Sequence, residues 1–283
     1  MCFCLQRKAD PFYPTVGLFL EHLLQRFKTE EAGYSKMNVI RSSISTMATI
    51  DHRPAGQHHL VKRFLKAVFL ERPSLPRYQV MWDPEVVLKH ITNLGINKKM
   101  KLIDLSKKIT ILLLLLSGQR CQTIQTLSIN NLHLTKNSIC FYTDHLTKTS
   151  RPGHHQSTLN LIAYQENRKL CIVTAIKVYL RRTAELRGSS TQLLITTTKP
   201  HRPATRDTVR RWVRETLQAA GIDIEMFKPH STRGASMSKA AKLIDIDLIL
   251  KTVGWKKEST FRRFYNKPIL SQEIMTNAIL SNN

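Results

Sequence analysis

Apolar side chains recur every three or four positions through much of this chain, which is the spacing of one face of an α-helix. The pattern is clear over residues 15–27, and the same spacing predicts helices over 34–50 and 59–70. In the first of these segments the apolar positions are Val16, Phe19, Leu20, Leu23, Leu24 and Phe27. The first part of the chain is therefore predicted to be all-helical.

A proline-rich stretch follows these helices, with Pro73, Pro76 and Pro84 close together. Proline removes an amide donor and stiffens the backbone, so this stretch is typical of a linker between domains. We place the boundary near residue 80, with one domain over 1–80 and a second over 81–283.

The second domain is predicted to be mainly helical with a small sheet inserted. Alternating apolar residues and turn-forming residues over 132–162 indicate two or three short strands, and 192–198 could add another. Helical spacing covers residues 84–95, 102–129, 171–188, 206–221, 230–243, 245–254 and 259–266. The fold class expected is mainly α with a small antiparallel β-sheet (α+β).

The net charge of the chain indicates which class of partner it binds. The chain carries 44 Lys and Arg against 20 Asp and Glu, for a net charge of +24 and a pI of about 10.2. Such a field attracts polyanions and favours a nucleic acid, although composition alone also fits a ribosomal-type protein or a binder of membrane surfaces. The excess is larger after residue 82, where we expect most phosphate contacts.

Membrane insertion and a secretory route are not expected. The longest apolar run, Ile111 to Leu116, is too short to cross a bilayer, and the N-terminus lacks a signal-peptide pattern. The five cysteines are scattered, which is typical of reduced thiols inside a cell. Neither they nor the eleven histidines show zinc-ligand spacing, so we expect no metal and no small-molecule cofactor.

Several positions could carry phosphate chemistry, although each has a plainer reading by itself. Arg120 follows a buried helix and a glycine that can turn the chain, but a surface arginine usually forms only a salt bridge. Lys148 lies near a predicted hairpin turn, where most lysines are merely solvated. His230 and Arg233 are three residues apart on one helix face, and Ser231 or Thr232 could cap that helix at an anion-attracting end.

The segment 251–267 adds Trp255 and, ten residues later, Tyr265. Tyr265 shares a helical face with Phe261 and Phe264, so by itself it is best interpreted as a packed aromatic residue. Trp82, in the linker, is likewise interpreted as a packing anchor rather than a platform for stacking bases.

The ordered set is far more specific than any member. Arg, a hairpin Lys, His-x-x-Arg, Trp and Tyr follow one another as Arg120, Lys148, His230, Arg233, Trp255 and Tyr265. This order resembles the tyrosine recombinase, or phage-integrase, family over residues 83–283. The helical first module resembles the family's core-binding DNA-binding domain. Phrases such as ERPSLPRY, SGQRCQTIQTL and HSTRGASMSKA look similar to recombinases of eukaryotic DIRS-type retroelements.

The resemblance implies a role for each residue, and the chemistry is consistent with those roles. Arg120 and Arg233 would clamp the non-bridging phosphate oxygens with paired donors. Tyr265 would be the nucleophile of a covalent 3′-phosphotyrosyl intermediate, with His230 assisting its deprotonation. Lys148 would protonate the leaving 5′ oxygen, and Trp255 would offer its indole N–H to the phosphate.

One position departs from the family pattern. Many members carry an acidic residue three positions after the first arginine, and this chain has Thr123 there. Threonine can accept a hydrogen bond but brings no charge, so the support of Arg120 is expected to differ.

Eight further basic residues are expected to contact the DNA backbone. They are Arg206, Arg210, Arg211, Arg214, Lys256, Lys257, Arg262 and Arg263. The resemblance also implies a two-domain clamp on double-stranded DNA, a homotetramer during strand exchange and a nuclear location. The C-terminal tail has apolar residues at helical spacing and could cover its own core, whereas the resemblance implies that it docks on a neighbouring subunit. Three alternatives stay open: a type IB topoisomerase-like activity, a catalytically silent DNA-binding protein derived from a mobile element, and a helical RNA-binding protein.

Overall fold

A computed structural model describes residues 2–73, 77–142, 158–255 and 258–270, with the side chains of residues 2 and 270 left aside. The chain divides into two compact units, Met1–Arg77 and Tyr78–Asn283. The core-binding role expected for the first unit stays a prediction.

The first unit is a small helical module around one apolar core. Amphipathic spacing places Phe19, Leu23 and Phe27 on the buried face of its second helix, which Thr15 caps through its side chain. Its helices are α1 (Cys2–Gln6), α2 (Val16–Thr29), α3 (Tyr34–Ser45) and α4 (His59–Glu71).

The helix predicted over 34–50 is too long. It ends at Ser45, and the chain then forms two short antiparallel strands, β1 (Thr49–Ile50) and β2 (Arg53–Pro54). Asp51 and His52 adopt positive φ between them, a turn conformation that a helix excludes.

The second unit holds the larger core, to which most of its helices contribute. Asp83 caps the first of these helices and Pro84 occupies its first position, so Pro84 begins a helix rather than extending the linker. The helices are α5 (Pro84–Asn93), α6 (Leu102–Ser117), α7 (Cys121–Gln125), α8 (Ile172–Thr183), α9 (Arg206–Ala219), α10 (Ser231–Ala240), α11 (Ile246–Val253) and α12 (Glu258–Phe264).

The helix α6 runs through the centre of this core, and most of its side chains are buried. It packs against α8, α9 and α10. Gly118 ends it in the left-handed conformation with φ of 59°, and its amide donates to the Leu114 carbonyl at 3.0 Å. The single helical pattern over 102–129 is thus two helices, and the turn between them sets the position of Arg120.

A three-stranded antiparallel sheet lies where the alternating pattern predicts it. Its strands β4 (Leu132–Leu134), β5 (Ser138–Tyr142) and β6 (Thr158–Ile162) pair in that order. Ile139 and Phe141 on β5 and Leu159 and Leu161 on β6 point into the core. The fold prediction, mainly helical with a small antiparallel sheet, is confirmed.

A further pair of strands joins distant parts of the second unit. The strand β3 (Met81–Trp82) pairs in parallel with β7 (Ile269–Leu270), and the Met81 amide donates to the Pro268 carbonyl at 2.8 Å. The segment 192–198, in contrast, forms only isolated bridges at Gln192 and Ile195 in the described chain. The strand predicted there is therefore absent.

Among the described residues, no helix has the length and apolar character needed to span a membrane. The described side chains also include no group of three or more Asp, Glu, Cys and His residues placed to hold a metal ion.

A fully buried lysine on α6 predicts an unusual dependence of stability on pH. The side chain of Lys108 is enclosed, and its amine has no hydrogen-bond partner among the described residues. Burial lowers its pKa from 10.5 to about 8, and the charge of Lys169 adds to the effect.

Below pH 8 Lys108 is protonated in the folded state, and the buried charge lowers the free energy of unfolding. Unfolded chains bind this proton up to pH 10.5, so stability should rise between pH 8 and 10.5. Lys108→Met should raise the free energy of unfolding at pH 7 by up to about 3 kcal/mol and remove that rise. Urea unfolding at pH 7 and pH 10 measures both effects.

The matched control is Lys107→Met, because Lys107 is partly exposed and pairs with Glu215 at 2.8 Å. We expect no gain in stability from that change. Equal unfolding free energies for the wild type and Lys108→Met at pH 7 would contradict the assignment.

Candidate active site

The centre of the site is a buried arginine with unsatisfied donors. Arg233 lies on α10 and is only 2% exposed. Its Nε and Nη1 atoms have no hydrogen-bond partner among the described residues. Leaving a charged donor buried and unpaired is costly, so a guanidinium in this state is prepared to bind an entering oxyanion.

Two aromatic rings lie against this guanidinium. Its central carbon is 4.5 Å from the centre of the Trp255 ring and 5.2 Å from that of Tyr265. The two rings are stacked on each other at 4.5 Å with an interplanar angle of 23°. Cation–π contacts and stacking therefore hold Arg233, Trp255 and Tyr265 together as one cluster.

Arg120 belongs to the same electrostatic environment. The pKa of Arg233 is lowered to about 10, mainly by burial and further by the positive charge of Arg120, while Tyr265 acts in the opposite direction. A pKa of about 10 still leaves Arg233 protonated at neutral pH. Two cations that repel each other in this way are both stabilised when a phosphate arrives between them.

Local structure explains why Arg120 lies beside α10. It stands at the N-terminal cap position of the short helix α7, two residues after the left-handed Gly118. A side-chain carbon at Gly118 would lie 2.9 Å from the Met237 methyl, so α6 and α10 meet closely there. Glycine thus serves both the turn and the close approach.

His230 is exposed and immediately precedes α10, three residues before Arg233. Its side chain does not cap the helix. The predicted capping by Ser231 or Thr232 is wrong, because both residues lie inside the helix. The Thr232 hydroxyl donates to the Pro229 carbonyl at 2.9 Å.

Trp82 anchors the start of α10. Its indole N–H donates to the Ser231 hydroxyl at 2.9 Å, and both side chains are buried. Beside it, a side-chain carbon at Gly234 would lie 2.3 Å from the Met81 methyl. The interpretation of Trp82 as a packing residue is consistent with this burial, but its hydrogen bond to Ser231 has no signal in the sequence.

The segment that carries Tyr265 rests on one phenylalanine only. Phe261 is fully buried and packs 5.6 Å from the Trp255 ring. Phe264 is 51% exposed, with the Arg263 guanidinium 5.1 Å from its ring. Phe264, which helical spacing places on the same face as Phe261, therefore does not pack into the core with it.

Four of the eight basic residues predicted to contact DNA lie on α9, and all four are exposed. Three of the four form long ion pairs of 3.7 to 3.8 Å with acidic neighbours, namely Arg210 with Asp207, Arg211 with Glu215, and Arg214 with Glu225. Exposed pairs of this kind are weak, so these cations remain available to phosphates.

The helix α9 is close to the site. It packs against α7. The pKa of the Cys121 thiol on α7 is raised to about 11, mainly by burial, while the nearby charge of Arg210 acts in the opposite direction. Arg210 thus extends the positive surface beside Arg120. Arg206 and Arg262 are exposed as well, and Arg262 pairs with Glu258 at 2.6 Å.

Three predicted features lie outside the described residues: Lys148, the pair Lys256 and Lys257, and the tail after residue 270. Thr123 is half-buried on α7, in the turn that follows Arg120. The described site therefore contains Arg120, His230, Arg233, Trp255 and Tyr265, and their roles stay predictions.

A buried arginine stacked on a tyrosine, with a second, half-buried arginine in the same electrostatic environment, is a site suited to phosphate-ester chemistry. The model of the phage integrase family matches residues 87–269, which is more than half of the chain. The chain belongs to the phage integrase family. A sequence comparison with curated proteins found no match.

Solved structures of recombinases share the fold. The Tn1549 transposon integrase in complex with transposon right-end DNA aligns with a TM-score of 0.60 at 14% identity, covering 94% of this chain and 85% of that one. The XerH site-specific recombinase bound to a palindromic difH substrate gives 0.58 at 14%, covering 95% and 73%. A λ integrase dimer bound to a COC′ core site gives 0.53 at 13%, covering 90% and 80%.

Proposed function

We propose that this chain is a site-specific DNA recombinase that cleaves and rejoins strands through a 3′-phosphotyrosyl intermediate on Tyr265. The observation that carries the proposal is the buried guanidinium of Arg233, which is stacked against Tyr265 and Trp255 and whose Nε and Nη1 have no hydrogen-bond partner among the described residues. Family membership and the DNA named in the related structures support it.

The first step breaks one ester bond and makes another. The Tyr265 phenolate oxygen attacks the phosphorus, and the bond from phosphorus to the 5′ oxygen breaks. Arg120 and Arg233 stabilise the charge that accumulates on the non-bridging oxygens. The phenolic proton passes to a base, the role proposed for His230, and Lys148 gives a proton to the leaving 5′ oxygen.

The second step reverses the first with a different strand. A free 5′ hydroxyl attacks the phosphotyrosine, and the Tyr265 oxygen leaves and regains its proton. Because each step exchanges one phosphodiester for another, the bond energy is kept in the covalent intermediate. The pathway requires no external source of energy.

Binding is expected to depend mainly on phosphate contacts. The net charge of +24 and the exposed arginines of α9 support this expectation. The logarithm of the association constant should fall with the logarithm of salt concentration, at roughly −0.9 per phosphate contacted on duplex DNA. Fluorescence anisotropy over a salt series measures the slope, and a slope near zero would contradict a phosphate-dominated interface.

The biological setting is a proposal that rests on sequence. The phrases shared in appearance with DIRS-type recombinases support an origin in a eukaryotic mobile element, and hence a nuclear location. We propose a homotetramer on two DNA sites during strand exchange. These proposals do not affect the chemistry at Tyr265.

Nicked suicide substrates test the function. A preferred duplex is first selected from a random-sequence library by binding, and nicks are then placed beside each candidate cleavage position. Cleavage releases a short fragment and traps a covalent adduct that survives denaturation. Binding without any adduct would favour a silent DNA-binding protein, whereas an adduct accompanied only by relaxation of supercoiled DNA would favour a topoisomerase.

A further inference from the structure

The backbone beside Tyr265 is tied to α10 by one buried hydroxyl. Ser238 is 1% exposed and lies five residues after Arg233 on the same helix. Its hydroxyl donates to the Tyr265 carbonyl and accepts from the Lys267 amide at 3.0 Å. A single oxygen therefore satisfies one acceptor and one donor of the segment that carries the tyrosine.

The helix that precedes Tyr265 gives it little support. The helix α12 has only seven residues, and Phe261 is its one buried side chain. Helices of that length are not stable by themselves, so external contacts must fix the direction in which the chain leaves the helix.

The chain after Tyr265 is held from the other side. Its strand β7 pairs with β3, and β3 is bonded to α10 through the contact from Trp82 to Ser231. Hydrogen bonds thus connect residues 265–270, β3 and α10 to one another. Ser238 hydrogen-bonds the backbone of Tyr265 and Lys267 from α10, the helix that carries Arg233.

We propose that Ser238 is a positioning residue that fixes the Tyr265 backbone relative to Arg233 of the same chain. The inference rests on the proposed function of Tyr265 as the nucleophile. The hydrogen bonds to the Tyr265 carbonyl and the Lys267 amide fix the backbone from which the phenol ring projects. In that position the ring lies beside the Arg233 guanidinium. Preorganisation of this kind matters because a displacement of about 1 Å can lower a rate about a hundredfold.

The chain offers a matched control on the same helix. Ser236 is also a buried serine, but the one hydrogen bond of its hydroxyl within the described part of the chain is to the Arg233 carbonyl of its own helix, at 3.5 Å. Ser236→Ala should report the cost of removing a buried hydroxyl from α10. Ser238→Ala removes, in addition, the contact with the tyrosine segment.

The test compares full-length wild type, Ser238→Ala and Ser236→Ala on the nicked suicide duplex. At saturating DNA, Ser238→Ala should form the adduct about tenfold to a hundredfold more slowly, while Ser236→Ala stays near the wild-type rate. The DNA dissociation constant should change less than about twofold in both variants, since Ser236 and Ser238 are both buried. Amide hydrogen exchange in DNA-free protein should be faster at Lys267 in Ser238→Ala only.

Each outcome decides the proposal. The positioning role would be overturned if Ser238→Ala and Ser236→Ala formed the adduct at the same rate, whether both matched the wild type or both were slowed along with an equal loss of thermal stability. Unchanged exchange at Lys267 would overturn the contact itself. Absence of an adduct with the wild type would count against the proposed function, and the exchange comparison would still show whether Ser238 holds the segment.

Discussion

Tyr265→Phe is expected to abolish the covalent protein–DNA adduct and leave the affinity for duplex DNA within about twofold of the wild type. Phenylalanine keeps the ring that stacks on Trp255 at 4.5 Å and the contact with the Arg233 guanidinium. Only the oxygen that would bond to phosphorus is lost. The variant therefore separates the chemistry from the packing.

The matched control is Tyr164→Phe, since Tyr164 is an exposed tyrosine whose hydroxyl donates to Glu166 at 2.7 Å. It should form the adduct at the wild-type rate. Denaturing gels with end-labelled suicide DNA measure both variants. An adduct that persists in Tyr265→Phe would show that another residue is the nucleophile.

Arg233→Lys is expected to slow cleavage about a hundredfold to a thousandfold at saturating DNA, by analogy with the loss of one oxyanion donor. Lysine keeps the charge but has no planar fork to bind two phosphate oxygens. It also loses the flat face that lies 4.5 Å from the centre of the Trp255 ring. Single-turnover rates of adduct formation measure the effect.

Arg187→Lys provides the comparison, because Arg187 is also a buried arginine of the second unit. Its donors are satisfied within the protein by the Gln192 carbonyl at 2.8 Å and the Thr183 hydroxyl. Arg187→Lys should lower thermal stability but leave the rate of the folded protein unchanged. If both substitutions slow cleavage equally, Arg233 has a structural role rather than a place at the phosphate.

Sequence patterns predict the helices well because the residues that form, begin and end each helix lie within one short segment. The apolar face of α2 and the cap at Thr15 lie within one segment, as does the glycine that ends α6. The alternating pattern likewise places β5 and β6. The helix expected through Ile50 fails because the turn at Asp51 and His52 pairs two short strands instead.

The order of the candidate residues indicates the site, but local pattern could not show how they are held. Trp82 and Ser231 are 149 residues apart, and their hydrogen bond depends on the packing of the whole second unit. The contact of Ser238 with Lys267 spans 29 residues and has no periodic signature. The exposure of Phe264 could not be predicted either, because helical spacing alone does not say which face of a helix meets the core.

The most direct test of the account is to find where the DNA is attached. The wild-type adduct on the suicide duplex is digested with nuclease and protease, and the modified peptide is sequenced by mass spectrometry. The expected product is a nucleotide joined through its 3′ phosphate to the Tyr265 oxygen, and to no other residue. A phosphate on a different side chain, or a 5′ linkage at Tyr265, would contradict it.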